Sequence, residues 1–282
     1  MRVLIVTNNN NPRATGAAGM LADHLRVVGF APQMPVADAQ ACGRAELAVS
    51  AAEIGEPLLA VALGGDGTML KAFHALAGAQ TPLLGVKFGR LGFLSGAVPE
   101  EMIDAVDAAL AGDVRLERRT TVAAQIIMDG RTVGRYAAMN EIVIARASSA
   151  RLVAMRVDVD GQTVCRLRGD GLVVSTATGS TAYALSAGGP IVAPDYAGLL
   201  VVPVAPHSLQ SRPLLTGPSD VVEIALDDPA RADAHVVVDG DLMPSRQPMD
   251  RIIVKRGDHD VTLVKLRGRD FYQTVAEEFF GG

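Results

Sequence analysis

The chain has 282 residues, which is enough to bury a core as one large domain or as two domains of ordinary size. Apolar residues make up 49% of the sequence and charged residues 20%, a balance that excludes a disordered chain. The formal net charge of −5 argues against a general nucleic-acid-binding protein, because such proteins present a basic face to the phosphates.

The two cysteines, Cys42 and Cys165, lie far apart without the spacing of metal ligands. This predicts free thiols in a reducing compartment, with a single disulfide as the alternative. No apolar stretch approaches the roughly 20 residues that a membrane-spanning helix needs, and residues 1–7 become polar too soon for a signal peptide. We therefore expect a soluble, cytoplasmic protein that binds neither a membrane nor nucleic acid.

Strands and helices are predicted to alternate in the first third of the chain. Continuous apolar runs are typical of buried parallel strands, and apolar residues at helical spacing predict the segments between them. The order β-α-β indicates a parallel sheet with helices on its faces. The expected strands cover 3–6, 58–63 and 83–86, and the expected helices cover 17–28, 69–76 and 99–110.

The pattern changes near Gly112, after which short strands dominate. The alternating residues 157–159, followed by Asp160-Gly161, predict a hairpin. The fold class is therefore α/β plus β: an α/β domain at 1–115, a β-rich domain at 116–267, and a terminal helix at about 268–282 that packs back on the first domain. The expected strands are 122–128, 136–145, 152–159, 171–175, 199–204, 221–226, 235–238, 251–255 and 261–266, and helical spacing returns at 272–280.

A glycine-rich turn, Gly64-Gly65-Asp66-Gly67-Thr68, follows the second predicted strand. Glycines let the backbone approach a ligand closely, and the helix that follows offers its N–H groups to an anion. A carboxylate repels phosphate, so Asp66 fits a site where it binds magnesium, holds a sugar hydroxyl or accepts a proton. The alternative is a tight turn in which Asp66 caps the helix. Neither a P-loop nor a Gly-x-Gly-x-x-Gly fingerprint is present, which excludes those two nucleotide sites.

A second polar turn lies at 176–185, after the apolar residues 172–174, and carries three Thr, one Ser and one Tyr hydroxyl. That many hydroxyls favour a phosphate- or ribose-bearing ligand. The alternative is a strand-turn-helix whose hydroxyls cap the helix. Asp170, between two glycines, precedes the strand. Since both turns leave predicted strands, we expect one nucleotide site built from two parts of the chain.

Three shorter motifs are ambiguous by themselves. Asn140 and Glu141 are neighbours in a predicted strand, so both reach one ligand only at a strand end or a bulge, and a solvated strand face is the alternative. His207 follows a strand and is either a surface or packed histidine or a site residue. Asp239-Gly240-Asp241 indicates a turn more than a metal site.

Together and in this order, these segments resemble the NAD kinase family. The Gly-Gly-Asp-Gly turn alone is shared with lipid kinases and phosphofructokinases, whereas the hydroxyl-rich turn with its Gly-Gly-Pro is specific. The matching segments are Gly64-Gly65-Asp66-Gly67-Thr68, Gly89-Arg90-Leu91-Gly92-Phe93-Leu94, Asn140-Glu141, Gly169-Asp170-Gly171, Thr178-Gly179-Ser180-Thr181-Ala182-Tyr183, Leu185-Ser186-Ala187-Gly188-Gly189-Pro190, Pro206-His207, Arg212-Pro213-Leu214 and Asp239-Gly240.

The resemblance implies a Rossmann-like α/β domain, a β-sandwich-like domain, and assembly as a homodimer or homotetramer. It implies phosphoryl transfer from ATP or polyphosphate to the 2′-hydroxyl of the adenosine ribose of NAD, with Mg²⁺ brought by ATP and no tightly bound organic cofactor. Asp66 corresponds to the catalytic aspartate. NAD is expected to contact Gly67, Asn140, Glu141, Arg168, Asp170, Thr178, Thr181, Ala182, Tyr183, Ser186 and His207, and the phosphates are expected to contact Gly64, Gly65, Thr68 and Lys87.

The sequence departs from the family pattern at three places. Lys87 with Phe88 stands where many members carry Asn and a small polar residue, Ala177 where Pro is usual, and Asp241 where Gln is common. A catalytically weak regulator that only binds the dinucleotide is therefore an alternative. A lipid or sugar kinase is a further alternative, but it leaves 178–190 unexplained. Formation of NADP from NAD and Mg-ATP distinguishes an NAD kinase from the regulator.

Overall fold

The computed structural model of the protein describes residues 1–89, 92–147, 151–227, 234–244, 249–266 and 270–281. Residues 1–118 with 261–282 form one compact unit, and residues 119–260 form a second. Arg90 and Leu91 of the 89–94 motif, and positions 268, 269 and 282 of the expected terminal helix, lie outside the described residues.

The helices and strands alternate at first and then give way to strands. The first segment contains β1 (Arg2–Thr7), α1 (Pro12–Val27), β2 (Ala31–Pro35), α2 (Val36–Ala41), β3 (Ala48–Val49), β4 (Leu59–Gly64), α3 (Asp66–Leu76), β5 (Leu83–Lys87), α4 (Met102–Ala111) and β6 (Arg115–Arg119). The strands β7 (Val122–Met128), β8 (Arg131–Ala138), β9 (Glu141–Arg146), β10 (Val153–Val159), β11 (Gln162–Gly169) and β12 (Gly171–Ser175) follow. The remainder is α5 (Tyr183–Ser186), β13 (Leu200–Val204), β14 (Leu214–Leu215), β15 (Val222–Leu226), β16 (Ala234–Val238), β17 (Asp241–Leu242), β18 (Arg251–Arg256), β19 (Val261–Lys265) and α6 (Phe271–Phe279).

The first unit contains a seven-stranded sheet in the order β3-β2-β1-β4-β5-β19-β6. β1 runs parallel to β2 and β4, and β4 runs parallel to β5. The strand order reverses between β1 and β4, which makes the carboxyl ends of these two strands the place where open α/β sheets bind ligands. The predicted parallel sheet is thus confirmed.

The helices α1 and α3 begin earlier than their apolar spacing suggests, whereas α4 begins at Met102 rather than at residue 99. α1 begins at Pro12 because the Asn11 side chain accepts the N–H groups of Arg13 and Ala14, an N-cap. α3 begins at Asp66 rather than at residue 69. β2, which periodicity does not predict, contains Pro32 and Pro35.

Two strand predictions were wrong, and both errors concern where the chain changes sheets. The expected single strand at 136–145 is split into β8 and β9, which belong to different sheets. The expected strand at 261–266 does not join the β-rich unit, because β19 pairs in parallel with β5 through Leu263 and Leu83. The first unit therefore takes its last strand from the far end of the sequence.

The second unit is a β-sandwich of two six-stranded sheets, in the orders β11-β10-β15-β18-β7-β8 and β14-β13-β12-β9-β16-β17. Alternating residues of both sheets form one core, among them Ile126 and Ile252 from the first and Ile144 and Leu172 from the second. The outer face of the second sheet is covered by α5, where Ala184 packs on a cluster with Val173 and Val202. The predicted hairpin at Asp160-Gly161 is present, with φ of +47° and +75°.

The terminal helix α6 packs within the first unit. Its Phe271 and Phe279 rings lie 5.6 and 5.9 Å from the ring of Phe93. Among the described residues, no helix combines the length and the apolar character required to cross a bilayer. Cys42 and Cys165 are both free thiols.

Candidate active site

Asp66 lies at the switch point of the first sheet, at the first residue of α3. A Cβ on Gly64 would lie 2.1 Å from Thr68 Oγ1 and 3.0 Å from Asn8 Cβ, so only glycine fits at the end of β4. The helix is capped by Gly65 and not by a carboxylate, which rules out the alternative that Asp66 serves as the cap. The Thr68 hydroxyl accepts the Gly65 N–H at 3.4 Å, so it stabilises the turn itself.

Lys87, the last residue of β5, forms an ion pair with Asp66, the first residue of α3. Lys87 Nζ lies 3.3 Å from Asp66 Oδ2, and the Lys87 side chain is one-fifth exposed. Asp66 Oδ1 is buried and has no hydrogen-bond partner within the described part of the chain. A buried acceptor without a partner is unfavourable, so this oxygen is available for a hydroxyl or a metal-bound ligand.

A cavity of about 380 Å³ opens beside the same turn. It lies between the end of β1 and the first turn of α3, where the helix presents the positive end of its dipole. Of the eight described residues that line it, Lys71 alone is charged. The lining residues are Thr7, Asn8, Asn9, Asn10, Gly65, Gly67, Thr68 and Lys71.

In the second unit, Asn140 and Glu141 are buried, with exposed fractions of 8% and 6%. The alternative of a solvated strand face is therefore wrong. They occupy the corner between β8 and β9, where the Asp239 carboxylate accepts the N–H groups of Met139, Asn140 and Glu141 at 2.8, 2.8 and 3.2 Å. This corner is the strand end that the sequence argument requires for both side chains to reach one ligand.

Both side chains at this corner have unused hydrogen-bonding capacity. Asn140 Oδ1 and Glu141 Oε2 are buried, and neither has a partner among the residues that the structure describes. Burial, and after it the charge of Asp239, raises the pKa of Glu141 to about 8. At neutral pH Glu141 is therefore a neutral acid that can donate one hydrogen bond and accept others.

The hydroxyl-rich turn uses most of its hydroxyls on the protein itself. Thr176 Oγ1 donates to Met139 O at 2.7 Å, and Ser180 Oγ donates to Ala177 O at 2.7 Å. Both residues are fully buried, so the structure accounts for these two hydroxyls without a ligand. Thr181 Oγ1 donates to Thr178 O at 3.2 Å, and Thr178 Oγ1 accepts from Arg119 at 3.4 Å.

The turn nevertheless lies directly against the Asn140 corner. A Cβ on Gly179 would lie 2.4 Å from Asn140 O, so glycine is required for this approach. Tyr183 is 43% exposed, Ser186 is exposed, and Thr181 and Ala182 are half-buried. These four residues and Thr178 follow Ser175, which pairs with Glu141. They therefore lie on a segment that begins beside the Asn140 corner.

Arg168, Asp170 and His207 lie at the other end of β12. Asp170 forms a bidentate pair with Arg146, with Nε–Oδ1 at 2.9 Å and Nη2–Oδ2 at 3.3 Å. Arg168 and His207 are exposed, and the His207 N–H donates to Arg168 O at 2.9 Å. At about 3.4 Å per residue, this group is about 20 Å along the strand from the Asn140 corner.

Comparison with known proteins identifies the family. Residues 3–114 match the family model of the ATP-NAD kinase N-terminal domain, and residues 139–266 match that of the ATP-NAD kinase C-terminal domain. A curated NAD kinase of Burkholderia orbicola is 37% identical over 98% of this chain and 92% of its own. The chain belongs to the NAD kinase family. A second NAD kinase, from Ralstonia nicotianae, is 41% identical over 78% of this chain and 72% of its own.

Solved structures agree with this assignment to the NAD kinase family. A crystal structure of yeast NADH kinase complexed with NADH has a TM-score of 0.90 and 26% identity, covering all of this chain and 87% of that one. An Archaeoglobus fulgidus NAD kinase in complex with ATP has a TM-score of 0.74 and 24% identity, covering 98% of each chain, and supports the fold alone.

The departures from the NAD kinase pattern have different structural consequences. Lys87 places an ammonium group on Asp66. Ala177 is buried, and its carbonyl accepts the Ser180 hydroxyl. Asp241 is exposed at the start of β17.

Sequence reasoning missed the residues that hold the site residues in place. The turn at Asp239-Gly240 is confirmed, with φ of +48° and +90°. Motif spacing does not reveal that the Asp239 carboxylate accepts the backbone N–H groups of residues 139–141. Arg146 was also missed. The run of four asparagines at 8–11 after β1 was a usable signal for the cavity, because consecutive amides at a strand end supply donors and acceptors together.

Proposed function

We propose that the protein transfers the terminal phosphoryl group of ATP, or of polyphosphate, to the 2′-hydroxyl of the adenosine ribose of NAD, giving NADP. The observation that carries this proposal is the Asp66 carboxylate at the switch point. One of its oxygens is paired with Lys87, and the other is buried without a partner among the described residues.

In this reaction Asp66 accepts the proton of the attacking 2′-hydroxyl. An ordinary aspartate is ionised at neutral pH, and positioned general bases contribute about 10²–10⁴ in rate. The 2′-oxygen forms the new bond to phosphorus while the bond to the bridging oxygen of the donor breaks, which leaves ADP or a shortened polyphosphate. Lys87 and the first turn of α3 are placed to offset negative charge on the transferring group.

Most of the contacts with NAD are assigned to the second unit. The buried Asn140 and Glu141 present hydrogen-bonding atoms that the described protein leaves unused, which supports their role at the adenylate half. Tyr183 offers an exposed ring for the nucleotide. The remaining contacts are assigned to Gly67, Thr178, Thr181, Ala182 and Ser186, and at the other end of β12 to Arg168, Asp170 and His207.

The phosphates are assigned to the turn formed by Gly64, Gly65 and Thr68, together with Lys87. Mg²⁺ brought by ATP would neutralise charge on its phosphates, and Asp66 Oδ1 is the described oxygen that would face it. Assembly as a homodimer or homotetramer and a cytoplasmic location stay predictions.

The proposal is tested by incubating the protein with NAD and Mg-ATP and measuring NADP, with polyphosphate and NADH as further arms. Asp66→Asn is expected to lower turnover by at least about 10² while NAD binding is retained. Asp104→Asn, an exposed acid in the first turn of α4, is the matched control and should keep wild-type turnover. A wild-type protein that binds NAD but forms no NADP would instead be the dinucleotide-binding regulator.

A further inference from the structure

The loop 92–97 lies between β5 and β19 and is tied to both strands. On the side of β5, the N–H groups of Gly96 and Ala97 donate to Gly85 O at 2.9 and 3.1 Å. On the side of β19, a Cβ on Gly96 would lie 2.4 Å from Val264 O, so glycine is required for this approach. The loop therefore fills the space where β5 and β19 separate.

Lys265, the last residue of β19, is half-buried and anchors this loop. Its Nζ donates to Phe93 O at 2.9 Å and to Ser95 O at 3.0 Å. Residues 92–96 belong to no helix or strand, so their carbonyls need partners outside a regular ladder. A charged donor forms stronger hydrogen bonds than a neutral one. One side chain therefore fixes two points of the loop.

The helix α6 holds the same loop through aromatic side chains. The half-buried Phe93 ring lies 5.6 Å from the Phe271 ring and 5.9 Å from the Phe279 ring, and it is stacked on the second at an interplanar angle of 15°. Aromatic pairs at such distances stabilise a structure beyond the area they bury. Both anchors come from the far end of the chain, since Lys265 reaches Phe93 across 172 positions of sequence.

Gly92, at the start of this loop, lies against the ion pair of Asp66 and Lys87. A Cβ on Gly92 would lie 2.3 Å from Lys87 Nζ and 2.8 Å from Asp66 Oδ2. The Gly92 N–H donates to Ser95 Oγ at 3.2 Å, so its position depends on the part of the loop that Lys265 holds. Misplacing a reacting group by about 1 Å can lower a rate about 10²-fold.

We propose that Lys265 is a positioning residue for phosphoryl transfer, which holds the loop 92–97 so that Gly92 keeps the Asp66 carboxylate in place. Phe279 of α6 supports the same loop by stacking on its aromatic side chain. The proposal rests on the proposed function, in which Asp66 accepts the proton of the attacking hydroxyl. The last strand and the last helix of the chain thereby complete the catalytic end of the first unit.

The test is steady-state NADP formation at saturating Mg-ATP by wild type, Lys265→Met, Lys265→Arg, Phe279→Leu and the double variant Lys265→Met/Phe279→Leu. Methionine keeps the length of the side chain but not its donors, so kcat should fall at least about tenfold, with the KM for NAD within about threefold of wild type. Arginine can donate to both carbonyls and should recover most of kcat. Because both side chains act through one loop, the double variant should lose less than the product of the single losses.

Hydrogen–deuterium exchange follows the loop without any turnover. The amides of 92–97 should exchange at least about fivefold faster in Lys265→Met than in wild type, and those of β18 should keep their rates. If Lys265→Met does not fold, Phe279→Leu at a 40% exposed position carries both measurements.

Two variants are matched controls that should keep wild-type kcat and exchange. Lys255→Met removes a lysine of β18 whose Nζ donates to Asp258 at 3.0 Å on the surface. Tyr272→Leu removes an aromatic side chain of α6 that is 67% exposed and contacts the ring of Phe271.

Wild-type kcat in Lys265→Met, a loss confined to the KM for NAD, unchanged exchange at 92–97, or no recovery in Lys265→Arg would each overturn the proposal. Failure of the proposed function is a separate result, because the wild type itself would then form no NADP. Faster exchange in Lys265→Met would in that case leave Lys265 as the anchor of the loop and refute its role in phosphoryl transfer.

Discussion

Asp239 holds the backbone of Asn140, whose N–H donates to Asp239 Oδ1 at 2.8 Å across 99 positions of sequence. The same carboxylate accepts the N–H groups of Met139 and Glu141. Hydrogen bonds to a charged acceptor are stronger than those between neutral groups. One side chain thus stabilises the corner at which the chain leaves one sheet of the sandwich and enters the other.

We expect Asp239→Ala to disrupt this corner. Three backbone N–H groups lose a charged acceptor, and each such bond contributes about 1.5–3 kcal/mol. The free energy of unfolding should fall by about 3 kcal/mol or more, and NAD affinity should fall at least tenfold because Asn140 and Glu141 are displaced. Urea denaturation and NAD titration measure the two effects. Asp241→Ala, two residues further along on an exposed side chain, should change neither.

Glu141 should make stability depend on pH. Its folded pKa, about 8, exceeds its ordinary value of 4.5. The folded state therefore retains a proton that the unfolded state releases. The stability that Glu141 contributes is fully present below pH 4.5 and is lost as the pH rises toward 8. Each pH unit in this window costs about 1.4 kcal/mol. Glu141→Gln removes this contribution.

The measurement is the urea midpoint of wild type and Glu141→Gln at pH 5.5, 6.5 and 7.5. Other titrating groups affect both proteins equally, so the difference between them isolates Glu141. The wild type should lose stability relative to the variant as the pH increases. A constant difference across the three pH values would contradict the raised pKa.

Gly92→Ala should impair turnover more than stability. A Cβ at this position would lie 2.3 Å from Lys87 Nζ and 2.8 Å from Asp66 Oδ2. Because these atoms are the ends of side chains, they can move at modest cost in folding free energy, but the ion pair is displaced. We expect NADP formation to fall at least tenfold with a melting temperature close to wild type. Gly16→Ala in α1, where a Cβ meets nothing within 4 Å, should keep full activity.

Lys87→Asn introduces the residue type that the family resemblance predicts at this position and removes the ammonium group from Asp66. If Lys87 offsets charge on the transferring phosphoryl group, turnover should fall about tenfold while NAD affinity is unchanged. Steady-state rates at saturating Mg-ATP, together with NAD titration, check this. Lys255→Asn, which breaks an exposed pair with Asp258, is the control. A variant faster than wild type would mean that Lys87 restrains Asp66 and would favour the regulator.

Local patterns were sufficient for the elements that carry the site. The apolar run before Gly64 and the glycines after it specify a buried strand, a tight turn and a helix, and the structure has β4 and α3 there. The Asp160-Gly161 pair specifies a hairpin because its positive φ values match the strand twist. In each case the deciding interactions lie within about ten residues, so periodicity and turn chemistry contain them.

The sequence by itself determined the strand-turn-helix units, the change from α/β to β near residue 112, and the motifs of the NAD kinase family. Only the tertiary structure decided that β19 pairs with β5 and that the Asp239 carboxylate accepts the Asn140 N–H. It also decided that Lys87 pairs with Asp66, and that the Thr176 and Ser180 hydroxyls donate to backbone carbonyls. These outcomes depend on which strands pair and in which register. Strand pairing is set by packing between residues that are far apart in the sequence, so a local sequence pattern does not contain this information.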